Sequence, residues 1–278
     1  MQIAIDVPAE TGTIESSDGT VLSYVCLGEG DPLVVCHGSL ALAQDWMAFA
    51  VEMAATRRVI LYDRRRRGLS ADGPSEPAVE AEVDDLACVI DMAGPGAAVL
   101  GHSFGGGCAL AFAARGTFDG PLILYEPRHS SRRPVSGGHI PELRRLLGEG
   151  DRRAALRFAL IQIIGAPPAA VEGFEQSPLW GPMIETISAL PDELRLLDSL
   201  MWQAGELDCV VGPATLLIGE NSRVLPDDLS PDLALRVALP RLQTVVVPGQ
   251  THFAYAAVPA LLAGIVRDCL GDMRADPN

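Results

Sequence analysis

A glycine-rich turn around one serine is the segment of this chain best suited to chemistry. An apolar run that includes Val99 leads into Gly101, Ser103 and Gly105, which have the spacing Gly-x-Ser-x-Gly, and an alanine-rich helical pattern follows directly. A strand, a sharp turn and a helix in this order are typical of a nucleophile elbow, in which the turn lifts the serine hydroxyl above the sheet. The small glycines leave room for that turn to close. We therefore predict that Ser103 is a nucleophile.

A serine hydroxyl needs a base that removes its proton, so one of the five histidines must lie beside Ser103. His252 follows the last predicted strand, in a loop at the carboxyl edge of the sheet, where open α/β sheets place their chemistry. His102 directly precedes Ser103, and backbone geometry points its side chain away from the hydroxyl. The sequence therefore predicts His252 as the general base.

The segment 34–39 ends a predicted strand with His37 and Gly38. Negative charge that develops on a tetrahedral intermediate needs backbone N–H donors aimed at it. We predict that the amides of Ser39 and Phe104 form this oxyanion hole. His37 and Gly38 are predicted to border the substrate, and His37 to brace the loop through hydrogen bonds rather than to transfer protons.

Short runs rich in Val, Ile and Leu alternate with longer helical patterns, which is typical of a mostly parallel sheet with helices on both faces. The Asp18-Gly19 turn joins the first two runs and predicts an antiparallel hairpin at the sheet edge. The sequence predicts eight strands, at 12–16, 21–27, 33–37, 59–62, 97–101, 121–125, 214–218 and 242–247. It predicts helices at 44–55, 79–92, 104–115 and 259–270.

Between residues 125 and 214 the strand pattern stops for almost ninety residues. Helical patterns at 151–164 and 191–202 replace it, separated by glycine and proline. Because structureless loops of that length are uncommon in compact domains, we interpret the segment as a helical lid over the carboxyl ends of the strands. The predicted organisation is a core domain of residues 1–127 and 208–278 with a lid of residues 128–207.

Together these motifs resemble the α/β-hydrolase superfamily, in its serine-nucleophile branch. The resemblance rests on GHSFGG at 101–106, the His-Gly pair at 37–38, DRRRRGLS at 63–70 and the PGxxH pattern that ends at His252. It implies an α/β-hydrolase fold with a helical lid and no metal or organic cofactor. The elbow serine is similar to that of esterases, thioesterases, lactonases and peptidases, whereas epoxide hydrolases and haloalkane dehalogenases carry Asp there. Relatives usually have Arg-Gly-Arg-Gly in the arginine segment, where this chain has Arg66 in place of the first glycine.

The third catalytic residue departs from the usual pattern of the family. Relatives place an Asp shortly after the seventh strand, where this chain has Ser222. Some members take the acid from the end of the sixth strand instead, and that position here is Glu126. The resemblance therefore implies Glu126, with Glu220, Asp227 and Asp228 as alternatives. The task of this acid is to accept the Nδ1–H of the histidine and to stabilise the imidazolium.

The composition excludes several classes of function. The 278-residue chain carries 21 arginines and no lysine, which excludes a lysine Schiff base and a P-loop. Its net charge of −15 would repel phosphates and anionic lipids, so we expect neither nucleic acid nor a membrane as a partner. There is no signal-peptide pattern and no apolar run of about 18 residues, so we expect a cytoplasmic protein. The six scattered cysteines are interpreted as reduced thiols.

Residues 128–157 carry eight arginines against three carboxylates. With the arginines at 64–67, this basic zone is either a set of solvated helix faces or a mouth that attracts an anionic or carrier-bound acyl substrate. Trp180, Met183 and Trp202 are candidate apolar walls for the acyl group, or simply packing residues.

The sequence therefore predicts a serine hydrolase that cleaves a carboxylic ester, thioester or lactone through an acyl-enzyme. Two alternatives stay open. One is a biosynthetic enzyme on the same scaffold that uses the Ser103–His252 pair for elimination, cyclisation, peptide cleavage or epoxide opening. The other is a non-catalytic binding protein. The substrate itself and the oligomeric state are not predicted.

Overall fold

A single sheet of eight strands runs through the molecule. The computed structural model describes residues 8–74, 76–128, 134–202, 205–222, 231–239 and 241–275. The strands are β1 Ala9–Glu15, β2 Val21–Leu27, β3 Pro32–Cys36, β4 Arg58–Tyr62, β5 Ala98–His102, β6 Leu122–Tyr125, β7 Ala214–Gly219 and β8 Gln243–Val247. Their order is β1-β2-β4-β3-β5-β6-β7-β8. Neighbours from β4 to β8 are parallel, whereas β2 is antiparallel to β1 and β4. The predicted mostly parallel sheet and its edge hairpin are confirmed.

Apolar runs build the centre of this sheet. Strands β3, β5, β6 and β7 are buried along their whole length, as expected for parallel strands covered on both faces. Successive side chains alternate between two cores, so that Val99 packs on one face of β5 and Leu100 on the other. Because parallel strands point the same way, the residues that follow them gather at one edge of the sheet.

Helices cover both faces of the sheet, and they differ from the prediction mainly at their ends. The sequence predicts one helix at 44–55, but the structure has a 3₁₀ turn at Ala43–Trp46 before the α-helix begins. A four-residue helix after β8 was not predicted, because it is too short to show a periodic pattern. On one face lie α1 Met47–Met53, α10 Ala254–Ala257 and α11 Pro259–Ala275, and on the other α2 Val79–Ala93, α3 Phe104–Ala113 and α9 Pro231–Ala238.

The described residues between β6 and β7 form five α-helices, where the sequence predicts a helical insertion. They are α4 Ile140–Gly148, α5 Arg152–Phe158, α6 Pro168–Phe174, α7 Trp180–Thr186 and α8 Leu190–Ser199. A π-helical turn, Ala159–Ile163, continues α5. These helices bury an apolar cluster of their own, which also takes in Leu40 from the loop after β3. Motion of this layer as a lid, and the domain boundaries at 128 and 207, stay predictions. No helix in the described part of the chain is both long and apolar enough to cross a lipid bilayer.

Candidate active site

The turn between β5 and α3 holds Ser103 in a conformation that residues other than glycine rarely adopt. Its φ is 53° and its ψ is −117°, a strained backbone that persists only where the surroundings enforce it. Gly105 lets the end of β3 approach, because a Cβ there would lie 2.2 Å from the carbonyl oxygen of Cys36. A Cβ on Gly101 would lie 2.7 Å from the Cβ of Ala109. Close packing beneath the turn therefore fixes the position of Ser103.

His252 and Glu126 meet at the carboxyl edge of the sheet. The His252 Nδ1 lies 2.6 Å from a Glu126 carboxylate oxygen, and their side chains are 12% and 10% exposed. The amide of Gly219 donates to the other carboxylate oxygen at 2.9 Å. Burial raises the pKa of the Glu126 carboxyl, but hydrogen bonds from His252, Ser222 and Gly219 outweigh burial and lower the pKa to about 2. The ionised carboxylate fixes the proton on Nδ1 and leaves Nε2 as a proton acceptor.

Of the four acids considered from the sequence, Glu126 is the one that the structure brings to the histidine. Glu220 instead accepts a hydrogen bond at 2.7 Å from a backbone amide in the turn after β8. Asp227 and Asp228 lie outside the described residues. Ser222, which stands where relatives have an Asp, donates a hydrogen bond to Glu126. The site thus has a carboxylate from β6 and a hydroxyl from the end of β7.

Ser39 and Phe104, whose amides are predicted to form the oxyanion hole, both lie at the site. Phe104 is the first residue of α3, so its N–H has no acceptor within the helix. Ser39 lies in the loop after β3 and lines the same cavity as the nucleophile. His37 braces this loop, because its Nε2 accepts from the Arg64 amide at 3.2 Å and its Nδ1 lies 2.9 Å from the Gly38 carbonyl oxygen. Burial lowers the pKa of His37 well below its ordinary value, so the ring is neutral.

His102 takes part in the site in a way that the sequence did not predict. Its ring centroid is 4.4 Å from that of His252, and its Nε2 lies 3.0 Å from the His252 carbonyl oxygen. Burial, together with the neighbouring His252, lowers the pKa of His102 well below its usual value. A neutral ring that donates from Nε2 holds the backbone of His252, which makes His102 a positioning residue. Adjacency to the elbow serine was its signal in the sequence, and no spacing rule connects it with the base.

A cavity of about 60 Å³ lies beside the nucleophile and the histidine. That volume has room for about four to six water molecules. The walls are mostly apolar and come from the loop after β3, the inserted helices and the loop after β8. The apolar lining residues include Leu40, Val135, Ala159, Ile163, Ile164, Met183, Leu190, Leu194, Leu197 and Phe253.

The predicted substrate-binding residues divide into two groups. Gly38 and Met183 line the cavity. His37, Trp180 and Trp202 are not among the described residues that line it, which corrects the prediction for these three. The ring of Trp180 packs within the inserted helices, 6.2 Å from a phenylalanine ring, and Trp202 packs on the core that contains α3. Which residues of the inserted segment reach the cavity depends on how that segment packs, and a sequence pattern does not fix this packing.

The predicted basic zone is not an open basic mouth. On the inserted helices most of its arginines form salt bridges with neighbouring carboxylates at the surface, which removes their net positive field. Arg132 and Arg133 lie outside the described residues. Arg128 is the member of the zone that lines the cavity within the described part of the chain. The surface pairs are Arg144–Asp192, Arg145–Glu142, Arg145–Glu149, Arg153–Glu175 and Arg157–Glu175.

Three of the four arginines that follow β4, namely Arg64, Arg65 and Arg67, are buried instead of open to the cavity mouth. Arg64 forms salt bridges with Glu82, at 3.1 Å, and with Glu193, and Arg67 pairs with Glu193 at 2.7 Å. The Arg64 guanidinium also lies 4.4 Å from the ring centroid of Phe104. We call these four charged residues the buried ion cluster. Because Glu193 belongs to α8, the cluster joins the inserted helices to α2 and to the segment after β4.

The fold and the site together define the class of the protein. Residues 33–265 match the sequence model of the Alpha/beta hydrolase family. That match includes β3, the elbow, the acid after β6 and the histidine after β8. The chain therefore belongs to the alpha/beta hydrolase family and is an enzyme of that fold.

Individual relatives are similar over different lengths. The crystal structure of an alpha/beta hydrolase from Sphaerobacter thermophilus is 31% identical in sequence, with a TM-score of 0.80 over 93% of this chain and 99% of that chain. The non-heme chloroperoxidase of Streptomyces lividans is 37% identical over 112 residues, and the non-heme haloperoxidase of Rhodococcus erythropolis is 34% identical over 106 residues. These two alignments span only 39% and 38% of the lengths of those proteins.

Proposed function

We propose that this protein is a serine hydrolase that cleaves small carboxylic esters, thioesters or lactones through an acyl-enzyme. The observation that carries the proposal is the imidazole of His252, which lies 2.6 Å from the Glu126 carboxylate and lines the same cavity as Ser103. A nucleophile, a base and a buried acid in this relation form the triad that acyl transfer uses on many folds.

Acylation begins when the Ser103 Oγ attacks the substrate carbonyl carbon and Nε2 of His252 takes the hydroxyl proton. The ionised Glu126 stabilises the imidazolium that forms. The amides of Ser39 and Phe104 donate hydrogen bonds to the oxyanion. When the intermediate collapses, the alcohol, thiol or lactone-ring oxygen leaves with the proton from the imidazolium, and the acyl group stays on the serine.

Deacylation repeats these steps with water as the nucleophile. His252 takes a proton from the water, whose oxygen attacks the acyl carbon. Collapse of the second intermediate breaks the acyl–oxygen bond and releases the carboxylic acid. The proton returns from the histidine to Ser103, which restores the enzyme.

The size of the cavity favours a short acyl group. A volume of about 60 Å³ corresponds to an acyl chain of about four to six non-hydrogen atoms beyond the carbonyl, since a water molecule is close in size to one such atom. Apolar side chains make up most of the wall, so they favour methylene groups there. We therefore expect butanoyl esters to be better substrates than long-chain fatty acyl esters.

A fluorophosphonate probe and p-nitrophenyl butanoate test the proposal directly. The wild-type enzyme should be labelled at Ser103 and should hydrolyse the ester. Ser103→Ala should abolish labelling and lower kcat by about 10⁶-fold, and adding His252→Ala should lower it little further, because nucleophile and base act as one unit. Ser17→Ala is the matched control, since this serine is exposed and distant.

Two outcomes would contradict the proposal. Turnover retained in a folded Ser103→Ala variant would point to proton-transfer chemistry without an acyl-enzyme. Failure of the folded wild-type enzyme to react with the probe or with any short ester would favour a binding protein.

A further inference from the structure

Among the described residues that line the mostly apolar cavity, Arg128 is the one arginine. Arg128 borders it together with Ser103 and His252. Its backbone amide donates to the carbonyl oxygen of Ser103 at 2.9 Å, which ties it to the elbow. It lies two positions after the acid Glu126 in the chain. Arg128 is therefore connected to the elbow by a backbone hydrogen bond and to Glu126 by its position in the chain.

The charge of Arg128 interacts with two side chains of the site. Burial lowers the pKa of Arg128, and the negative charge of Glu126 acts in the opposite direction. In turn, Arg128 is among the groups that lower the pKa of His102, which itself lines the cavity. The positive charge of Arg128 therefore acts on Glu126 and His102.

Arg128 is half-buried, and its partners differ from those of the buried arginines. Arg64, Arg65 and Arg67 each form a salt bridge with a buried carboxylate. No carboxylate in the described part of the chain forms a salt bridge with Arg128. Residues 129–133, which follow it, contain no Asp or Glu. A partly desolvated cation that no described carboxylate pairs with costs free energy, and an anionic ligand would offset that cost.

We infer that Arg128 binds a carboxylate carried by the acyl group, so that the preferred substrates are hemi-esters or thioesters of short dicarboxylic acids. This inference rests on the proposed hydrolase function. A guanidinium binds a carboxylate through two parallel N–H···O bonds, which adds geometric selectivity to the charge interaction. The apolar walls suit the methylene groups between the two carbonyl carbons. A succinyl group fits the volume of the cavity, since about five non-hydrogen atoms follow its ester carbonyl.

Two methyl esters of matched size test this assignment. Monomethyl succinate carries the carboxylate, and methyl 4-methylpentanoate carries an uncharged isopropyl group in the same position. Methanol release gives kcat/KM for both esters. We expect the wild-type enzyme to prefer the hemi-ester, and Arg128→Gln to lower the ratio of the two kcat/KM values by about 10²-fold. Arg128→Lys should keep part of the preference, because charge remains while the planar fork is lost.

Arg144→Gln is the matched control. Arg144 is more than half exposed and pairs with Asp192, and it does not line the cavity. Its replacement should leave the preference unchanged. Equal losses on both esters in Arg128→Gln, or a wild-type enzyme that prefers the neutral ester, would overturn the assignment. So would a thermal unfolding midpoint that falls by several degrees in Arg128→Gln, because that would mark a structural arginine.

Binding of succinate, measured by calorimetry, separates this inference from the proposed function. Succinate should bind to the wild-type enzyme and to Ser103→Ala but not to Arg128→Gln. If succinate binds while neither ester is hydrolysed, the hydrolase proposal fails and the carboxylate site stands. If the neutral ester is hydrolysed and succinate does not bind, the carboxylate site fails and the hydrolase proposal stands.

Discussion

At the scale of single residues, the position of the acid is the unusual feature of this site. Strands β6 and β7 are parallel neighbours, so their carboxyl ends lie side by side at the same edge of the sheet. A carboxylate at either end is therefore close to the histidine after β8. Here Glu126 supplies the carboxylate from β6, and Ser222 after β7 donates a hydrogen bond to it. The chemistry needs the carboxylate at Nδ1, not a particular strand to carry it.

Removing the charge of this acid tests its role. Glu126→Gln should keep the fold but lower kcat by about 10²–10⁴-fold, since an amide can hold the wrong imidazole tautomer. The measurement is kcat for p-nitrophenyl butanoate, with circular dichroism to check the fold. Glu220→Gln is the control, because that carboxylate contacts a backbone amide and not the histidine. Equal losses in both variants would refute the assignment.

A carboxylate from the β7 side should rescue that variant. Asp at position 222 would stand at the end of β7, beside the position that Glu126 occupies. In the Glu126→Gln background, Ser222→Asp should therefore recover at least about tenfold in kcat, because the imidazolium regains a negative partner. Ser222→Ala in the same background is the control and should recover nothing. A folded double variant that is no faster than Glu126→Gln would show that the histidine cannot be reached from this side.

At the scale of the elements, the elbow depends on how closely β3 approaches α3. A Cβ on Gly105 would lie 2.2 Å and 2.5 Å from the carbonyl oxygens of Cys36 and His37. These are backbone atoms at the end of β3, so they cannot move without displacing the loop that carries Ser39. The glycine at this position is therefore required by the packing of two elements and not by the local turn alone.

Gly105→Ala should accordingly damage both stability and activity. We expect a loss of about 1–3 kcal/mol in the free energy of unfolding, as for overpacked cores, and a fall in kcat as the oxyanion amide shifts. Denaturant unfolding and ester hydrolysis measure the two effects. Gly264→Ala is the control: this glycine lies within α11, where a Cβ would meet only the end of the Arg267 side chain, at 4.0 Å. That change should stabilise by about 0.5–1 kcal/mol. A stable and fully active Gly105→Ala enzyme would be incompatible with this account.

The buried ion cluster links α8 to the core, and two adjacent acids allow a clean comparison. Glu193 is buried and pairs with Arg64 and Arg67, whereas Asp192 is exposed and pairs with Arg144. Glu193→Gln should cost about 3–5 kcal/mol, because it leaves buried guanidinium groups without their counter-charge. Asp192→Asn should change the free energy of unfolding by less than about 1 kcal/mol. Denaturant unfolding of both variants measures this, and similar values would argue against a structural role for the cluster.

At the scale of the whole molecule, many acidic side chains form ion pairs with arginines. The chain has a net charge of −15, yet several of its acids are buried in ion pairs with arginines. Arg128, which has no salt bridge to a described carboxylate, lines the cavity and supplies a positive charge at the site. Recognition of an anion by this enzyme would therefore be local rather than a long-range attraction.

Buried carboxylates with lowered pKa values predict that the folded protein loses stability in acid. The pKa of Glu126 is lowered to about 2 in the folded protein, and that of Glu193 is also lowered. A carboxyl whose folded pKa is depressed stabilises the fold above its unfolded pKa of about 4.3, and that stabilisation is lost as the pH falls towards the folded value. The free energy of unfolding should therefore decrease between about pH 5 and pH 2. In Glu126→Gln this decrease should be shallower, because one proton fewer is taken up on unfolding. Identical slopes for both proteins would contradict the link.

The sequence by itself predicted most of the core strands and helices, with Ser103 and His252 as nucleophile and base, and the family resemblance added Glu126 as the acid. Ser103 and Glu126 come directly after strands and His252 lies in the loop after β8, and parallel strands carry such residues to the same edge of the sheet. The elbow is local, since a strand, a turn between small residues and a helix need no distant contact to be recognised. The turn at Arg66 is also local. Arg66 adopts a φ of 62°, a conformation that favours glycine, at the position where relatives have glycine.

Only the tertiary structure decided which side chains meet. The His252–Glu126 contact joins residues 126 positions apart, and the order of the strands, not their spacing in the chain, brings them together. The rotation and packing of the inserted helices placed Ile163 and Met183 at the cavity and turned Trp180 into the helical layer. Whether an arginine is exposed, paired or turned towards the cavity depends on neighbours from other elements. Arg64, Arg128 and Arg144 therefore look alike in the sequence and have three different environments in the fold.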